Sequence, residues 1–106
     1  SNDPQKMSES QKKTKINTSE FSEQELSRLL FASYPTRINR YNLEFFCSPK
    51  DAAFCFNWLK RKPDVARNAG DGDLFLDENL RRQIREFHKQ EEPEEAEKMD
   101  VLASVL

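Results

Sequence analysis

Pro35, Pro49, Pro63 and Pro93 cut most of this chain into short segments, and that constrains its fold more than any other feature. Proline has no backbone N–H to give to a helix interior, and it pushes the residue before it toward extended backbone. A helix here must therefore stop before one of these positions or begin on one. Two beginnings are marked in detail. Ser22 followed by Glu25 is a capping box, in which each side chain satisfies the other residue's free backbone donor, and Phe21 and Leu26 stand where an apolar staple closes the same end. Ser48 is followed by Pro49 at the first helical position and by Asp51 three residues after the cap. The first helix carries Leu26, Leu29, Leu30 and Ser33 on one face and stops before Pro35.

The second predicted helix, residues 49–61, is ended by Pro63. Ala52, Cys55, Phe56 and Leu59 share one face, whereas Phe54 and Trp58 lie on another. A helix apolar on two sides packs on two sides, so this one is expected at the centre with Trp58 buried. Residues 64–73 hold two Gly, three Asp and Asn68 and read as a loop. A third helix follows, with Leu76, Leu80, Ile84 and Phe87 at helical spacing and Arg81, Arg82 and Arg85 facing outward. Residues 42–47 could form a short strand or a helical turn. With no partner strand in view, the turn is favoured.

Charge divides the chain further. Apolar residues supply 36% and charged residues 34%, so part of it is expected to stay unpacked. Residues 1–18 set Lys6, Lys12, Lys13 and Lys15 against Asp3 and Glu9 and hold only Met7 and Ile16 as strongly apolar side chains, which predicts a disordered tail. Residues 19–90 read as the folded helical domain. Residues 91–106 read as an acidic link and the start of a further helix, whose stripe of Met99, Leu102, Ala103 and Leu106 follows Pro93. That stripe either continues as a longer helix beyond Leu106 or folds back as a fourth helix. The fold class expected is all-α, a small bundle of three to four helices. The overall charge of −2 does not by itself call for nucleic acid or an anionic membrane. No apolar run approaches the roughly eighteen residues that span a bilayer.

Catalytic constellations are weak. Cys47 and Cys55, each beside phenylalanine, read as buried reduced thiols, and His88 is the only histidine, so no zinc set is expected. A Cys47–His88 nucleophile pair is possible only as any cysteine and histidine might meet. His88, next to Lys89, is read as a solvated imidazole. Asp71, Asp73 and Asp77 evoke a calcium loop, but no register supplies both the glycine and the distal glutamate that such a loop needs. The sequence Leu26-Ser27-Arg28-Leu29-Leu30 matches an LxxLL docking box, yet its cap and staple place those leucines in a core. Lys60, Arg61 and Lys62, with Arg37, Arg40 and the trio Arg81, Arg82 and Arg85, could form a basic face suited to acidic protein or to phosphate, against the plainer reading of solubilising charge.

The order of these features carries a resemblance. Leu29-Leu30, Tyr34-Pro35, Phe45-Phe46, a helix with Phe54 and Trp58, and Leu76-Asp77-Glu78-Asn79-Leu80 together resemble the N-terminal domain of the third augmin subunit family, over roughly residues 24–90. The stretch 62–72 is longer than in that family. The resemblance implies a degenerate calponin-homology-like fold ahead of a coiled coil, and a non-enzymatic adaptor without cofactor. Its implied partners are coiled-coil subunits, microtubules or γ-tubulin ring complexes, at the cytoplasmic spindle and cytoskeleton. The alternative is a nuclear or cytosolic helical domain that binds a peptide or nucleic acid through its basic face. An enzyme using Cys47 or Cys55 ranks last.

Overall fold

The computed structural model describes residues 18–106, so the expectation of a disordered tail falls outside the described residues, save that Thr18 opens a short 3-10 turn, Thr18–Glu20. Five α-helices follow among the described residues: α1 (Glu23–Ser33), α2 (Arg40–Leu43), α3 (Pro49–Lys60), α4 (Glu78–Glu91) and α5 (Pro93–Ala103). Between α3 and α4 runs a hairpin of β1 (Ala66–Asn68) and β2 (Leu74–Leu76). The chain is a small, mostly helical domain, but it is not all-α.

The predicted caps form. Glu25 N donates to Ser22 Oγ at 3.2 Å while Ser22 N donates to Glu25 Oε1 at 2.9 Å. Asp51 N donates to Ser48 Oγ at 3.1 Å, and Pro49 stands in the first turn of α3. Residues 42–47 lie partly in α2 and otherwise in turn, with Asn39 capping α2 by accepting from Asn42 N at 2.8 Å.

The hairpin corrects the loop expected at residues 64–73. Ala66 pairs with Leu76 and Asn68 with Leu74, and Gly70 and Gly72 make the reversal at φ of 99° and 100°, a region that only glycine enters freely. Asp71 and Asp73 take part in the turn: Asp73 N donates to Asp71 Oδ1 at 3.1 Å, and Arg37 reaches both carboxylates. Ile38 exchanges two backbone hydrogen bonds with Leu74, at 2.8 and 2.9 Å, which lays the α1–α2 link along β2. A strand partner for β2 therefore comes from a distant loop, where no local pattern announces it. Leu76 belongs to β2, and the next helix starts only after Asp77, whose carboxylate accepts from Leu80 N at 3.0 Å.

Leu29, Ile38, Leu43, Leu59 and Leu80 are fully buried, and α3 adds Ala52, Cys55 and Trp58 to the same core. Trp58 is only 8% exposed and meets Phe21 edge-on at 6.5 Å. Phe54, expected to be packed like Trp58, is 54% exposed beneath the Arg28 guanidinium.

Residues 91–106 are not a link leading away. Glu91 ends α4, Glu92 alone makes the break at φ −141° and ψ 72°, and Pro93 restarts a helix at once, because its missing N–H is not needed in a first turn. α5 folds back on α4 and buries Ala96 and Met99. No described helix is long and apolar enough to cross a membrane.

Trp58→Ala should cost about 3–5 kcal/mol through the cavity it leaves, a large share of what holds so small a domain together. Urea denaturation measures it. A midpoint close to that of the parent chain would show that Trp58 is peripheral.

Candidate functional site

The residues with most chemical character meet in two places. The first is the junction of α1, α4 and α5. Tyr34, just past α1, is buried, and its hydroxyl lies 2.8 Å from His88 Nδ1 with the two rings edge to face. His88 is thus not a solvated imidazole. It faces inward at 5% exposure, because the last turn of α4 covers Tyr34 and not the solvent. Its Nε2 is buried without a hydrogen bond, although Glu92 Oε1 lies 3.4 Å away, near enough for a charge interaction but poorly aligned.

Two of the three outward arginines are drawn into this junction. Arg81 donates from Nε to the Ser33 carbonyl at 2.7 Å and from Nη2 to the Tyr34 carbonyl at 3.4 Å, capping the open end of α1. Burial lowers its pKa from the ordinary guanidinium value, and the neighbouring Arg85 adds to that while Glu78 opposes it. Arg85 lies over the Tyr34 ring at 4.8 Å and pairs with Asp100 of α5. Burial raises the Tyr34 phenol, and Asp100 raises it further against the opposing Arg85. Only Arg82 is free on the surface, touching Asn79 Oδ1 at 3.2 Å. The outward placement expected from spacing along α4 holds for Arg82 alone of the three, because α5 and the end of α1 cover the side on which Arg81 and Arg85 lie.

The second place is the C-terminal end of α3. Lys60 Nζ stands 5.6 Å from the Phe56 ring centroid, and Lys62 Nζ stands 5.5 Å from that of Trp58. Arg28, which the sequence reading did not single out beyond the LxxLL pattern, comes across from α1 to lie 5.5 Å from Trp58 and 4.4 Å from Phe54. Arg61 is exposed beside them. Among the described residues, ion pairs involve Arg37, Arg81, Arg85 and His88, and none involves these four cations. Arg40 is exposed on α2, while Arg37 is neutralised locally by Asp71 and Asp73.

Neither cysteine joins these side-chain contacts. The Cys47 thiol donates to the Leu43 carbonyl at 3.4 Å and the Cys55 thiol to the Arg28 carbonyl at 3.5 Å, and both are unbridged. Burial raises both thiols, Cys55 to about 12, which suppresses the thiolate that a nucleophile needs. Among the described residues no group of three or more His, Cys, Asp or Glu is placed to hold a metal ion, and Asp77 is spent on capping α4. Leu29, the middle leucine of the LxxLL pattern, is fully buried. Comparison with protein-family models, with curated proteins and with solved structures finds no match.

Two outcomes are expected. Tyr34→Phe strips His88 Nδ1 of its partner inside the fold and should destabilise the domain by about 1–3 kcal/mol in urea titrations. Because Cys55 keeps its proton longer folded than unfolded, its contribution is complete below pH 9 and lost as pH climbs through about 12. Stability measured across that window should fall less steeply in Cys55→Ala than in the parent chain; identical slopes would exclude a buried protonated thiol.

Proposed function

We propose that this chain is a non-enzymatic docking module that binds an acidic protein surface through the basic–aromatic end of α3. The observation carrying this reading is that Arg28 lies over Phe54 and Trp58, Lys62 over Trp58 and Lys60 over Phe56, with Arg61 exposed, and that among the described residues none of the four is in an ion pair. Cations resting on aromatic faces are held in place without being neutralised, so little order remains to be imposed when an acidic partner arrives. Part of their role is local, since Lys60 and Arg61 also complement the negative end of α3.

The resemblance of residues 24–90 to the third augmin subunit family supports an acidic cytoskeletal partner, tubulin or a γ-tubulin ring assembly at the spindle, within a complex of coiled-coil subunits. Of the contacts expected from sequence, we assign that role to Lys60, Arg61, Lys62 and Arg82. Arg81 and Arg85 have internal partners and serve the fold first.

The charge-reversal triple Lys60→Glu, Arg61→Glu, Lys62→Glu should lower tubulin binding by about tenfold or more at low salt, with the residual binding less salt-sensitive than in the parent chain. Arg82→Glu should lower it less. Co-sedimentation and pull-down at two salt concentrations measure both. Undiminished recovery of tubulin and γ-tubulin rings by the triple variant overturns the proposal, and recovery of nucleic acid instead favours a phosphate-backbone partner.

A further inference from the structure

The apolar stripe of α4 is longer than the neighbour that covers it. Leu80 and Ile84 are buried, yet Phe87, next on the same stripe, is 65% exposed. Opposite it, α1 presents Leu26 and Leu30, each only partly covered. Between the two helices lies an open groove of about 450 Å³, floored by these apolar side chains and bordered at one end by Glu91 and Glu92. Its shape is the one that receives an amphipathic helix, which lays a row of apolar anchors between two parallel ridges.

Charge decides what kind of helix. Among the described residues, neither lysine nor arginine lines the groove, and the carboxylates that line it stand at the C-terminal end of α4, where the free carbonyl groups of the helix add negative potential. His88 lines the same groove while nine-tenths buried, and its Nε2 has no hydrogen bond. Its Nδ1 lies 2.8 Å from the Tyr34 hydroxyl, and its Nε2 lies 3.4 Å from Glu92 Oε1, which places that carboxylate beside the ring at the groove mouth.

We infer that the α1–α4 groove docks a lysine- or arginine-rich amphipathic helix of a partner protein, its apolar stripe covering Phe87, Leu26 and Leu30 and its cations meeting Glu91 and Glu92. This site has the opposite charge preference to the end of α3 and does not depend on the function proposed for that end.

The test uses the full chain and a labelled synthetic helix of about eighteen residues, long enough to hold helical structure once bound, with leucines at i, i+3, i+4 and i+7 and lysines elsewhere. One control peptide replaces every lysine by glutamate, and a second shuffles the same residues so that no stripe forms. Fluorescence anisotropy should show the striped lysine peptide binding at least about tenfold more tightly than either control. Phe87→Asp, at an exposed position and with an unchanged circular dichroism spectrum, should abolish that preference. The pair Glu91→Gln, Glu92→Gln should weaken binding severalfold and remove most of its salt dependence, whereas Glu94→Gln, Glu97→Gln on α5 should not. Equal binding of the lysine and glutamate peptides overturns the inference, as does equal loss in the two glutamine pairs. Sedimentation showing self-association that Phe87→Asp abolishes would assign the groove to a second copy. Binding that appears only after removal of residues 1–17 would assign it to the chain's own N-terminal segment. Either result refutes a partner helix as the occupant.

Discussion

The contact between the Tyr34 hydroxyl and His88 Nδ1 joins groups 54 positions apart, and much of the molecule's arrangement depends on it. It draws the end of α1 against the last turn of α4. A buried phenol and a buried imidazole are each costly to leave unpaired, and here each satisfies an atom of the other. With the end of α1 in that position, Arg81 can cap its carbonyls and Arg85 can lie on the Tyr34 ring while reaching Asp100. α5 is thus attached by charge and by Ala96 and Met99 together, outside the main apolar core.

This arrangement sorts the basic residues by task. A guanidinium with five donors suits positions where several carbonyls or a carboxylate converge, and α4 uses two of its arginines that way. The lysines at the end of α3 lie over aromatic faces and are in no ion pair among the described residues. Acidic residues are sorted in parallel. Asp51 and Asp77 serve the first turns of α3 and α4, Asp71 and Asp73 hold Arg37, and Glu91 and Glu92 face the α1–α4 groove. On the two proposals made above, a nearly neutral chain would carry one end suited to acidic surfaces and one groove suited to basic ones.

Much of the helical architecture was legible in advance, and the misreadings share one cause. The capping box at Ser22, the cap and proline at Ser48 and Pro49, and the buried Trp58 were read from residues within a few positions of one another. The hairpin was missed because β1 and β2 have three residues each, too short for an alternating pattern, and because Ile38 joins β2 from the α1–α2 link. His88 was misread because its neighbours in sequence are polar while its neighbour in space is Tyr34. Phe87 erred the other way: helical spacing put it on the buried stripe, but an open groove separates it from Leu26 and Leu30 of α1. Arg28 gave no signal beyond the LxxLL pattern, since its companions Phe54 and Trp58 lie on another helix.

By itself, then, the sequence determined where α1 and α3 begin and end, because caps and prolines act on backbone groups no more than about four residues away. It did not determine which helix is central: α3 packs on α2 and β1 and leaves Phe54 exposed, whereas α4 meets α1, α5 and β2. Only the tertiary structure decided which charges are free, which apolar residues are left uncovered, and that residues 93–103 return to the domain. Those outcomes depend on side chains that meet across 15 to 54 positions of chain, where an internal partner either claims a donor, a carboxylate or a phenylalanine or leaves it for another molecule.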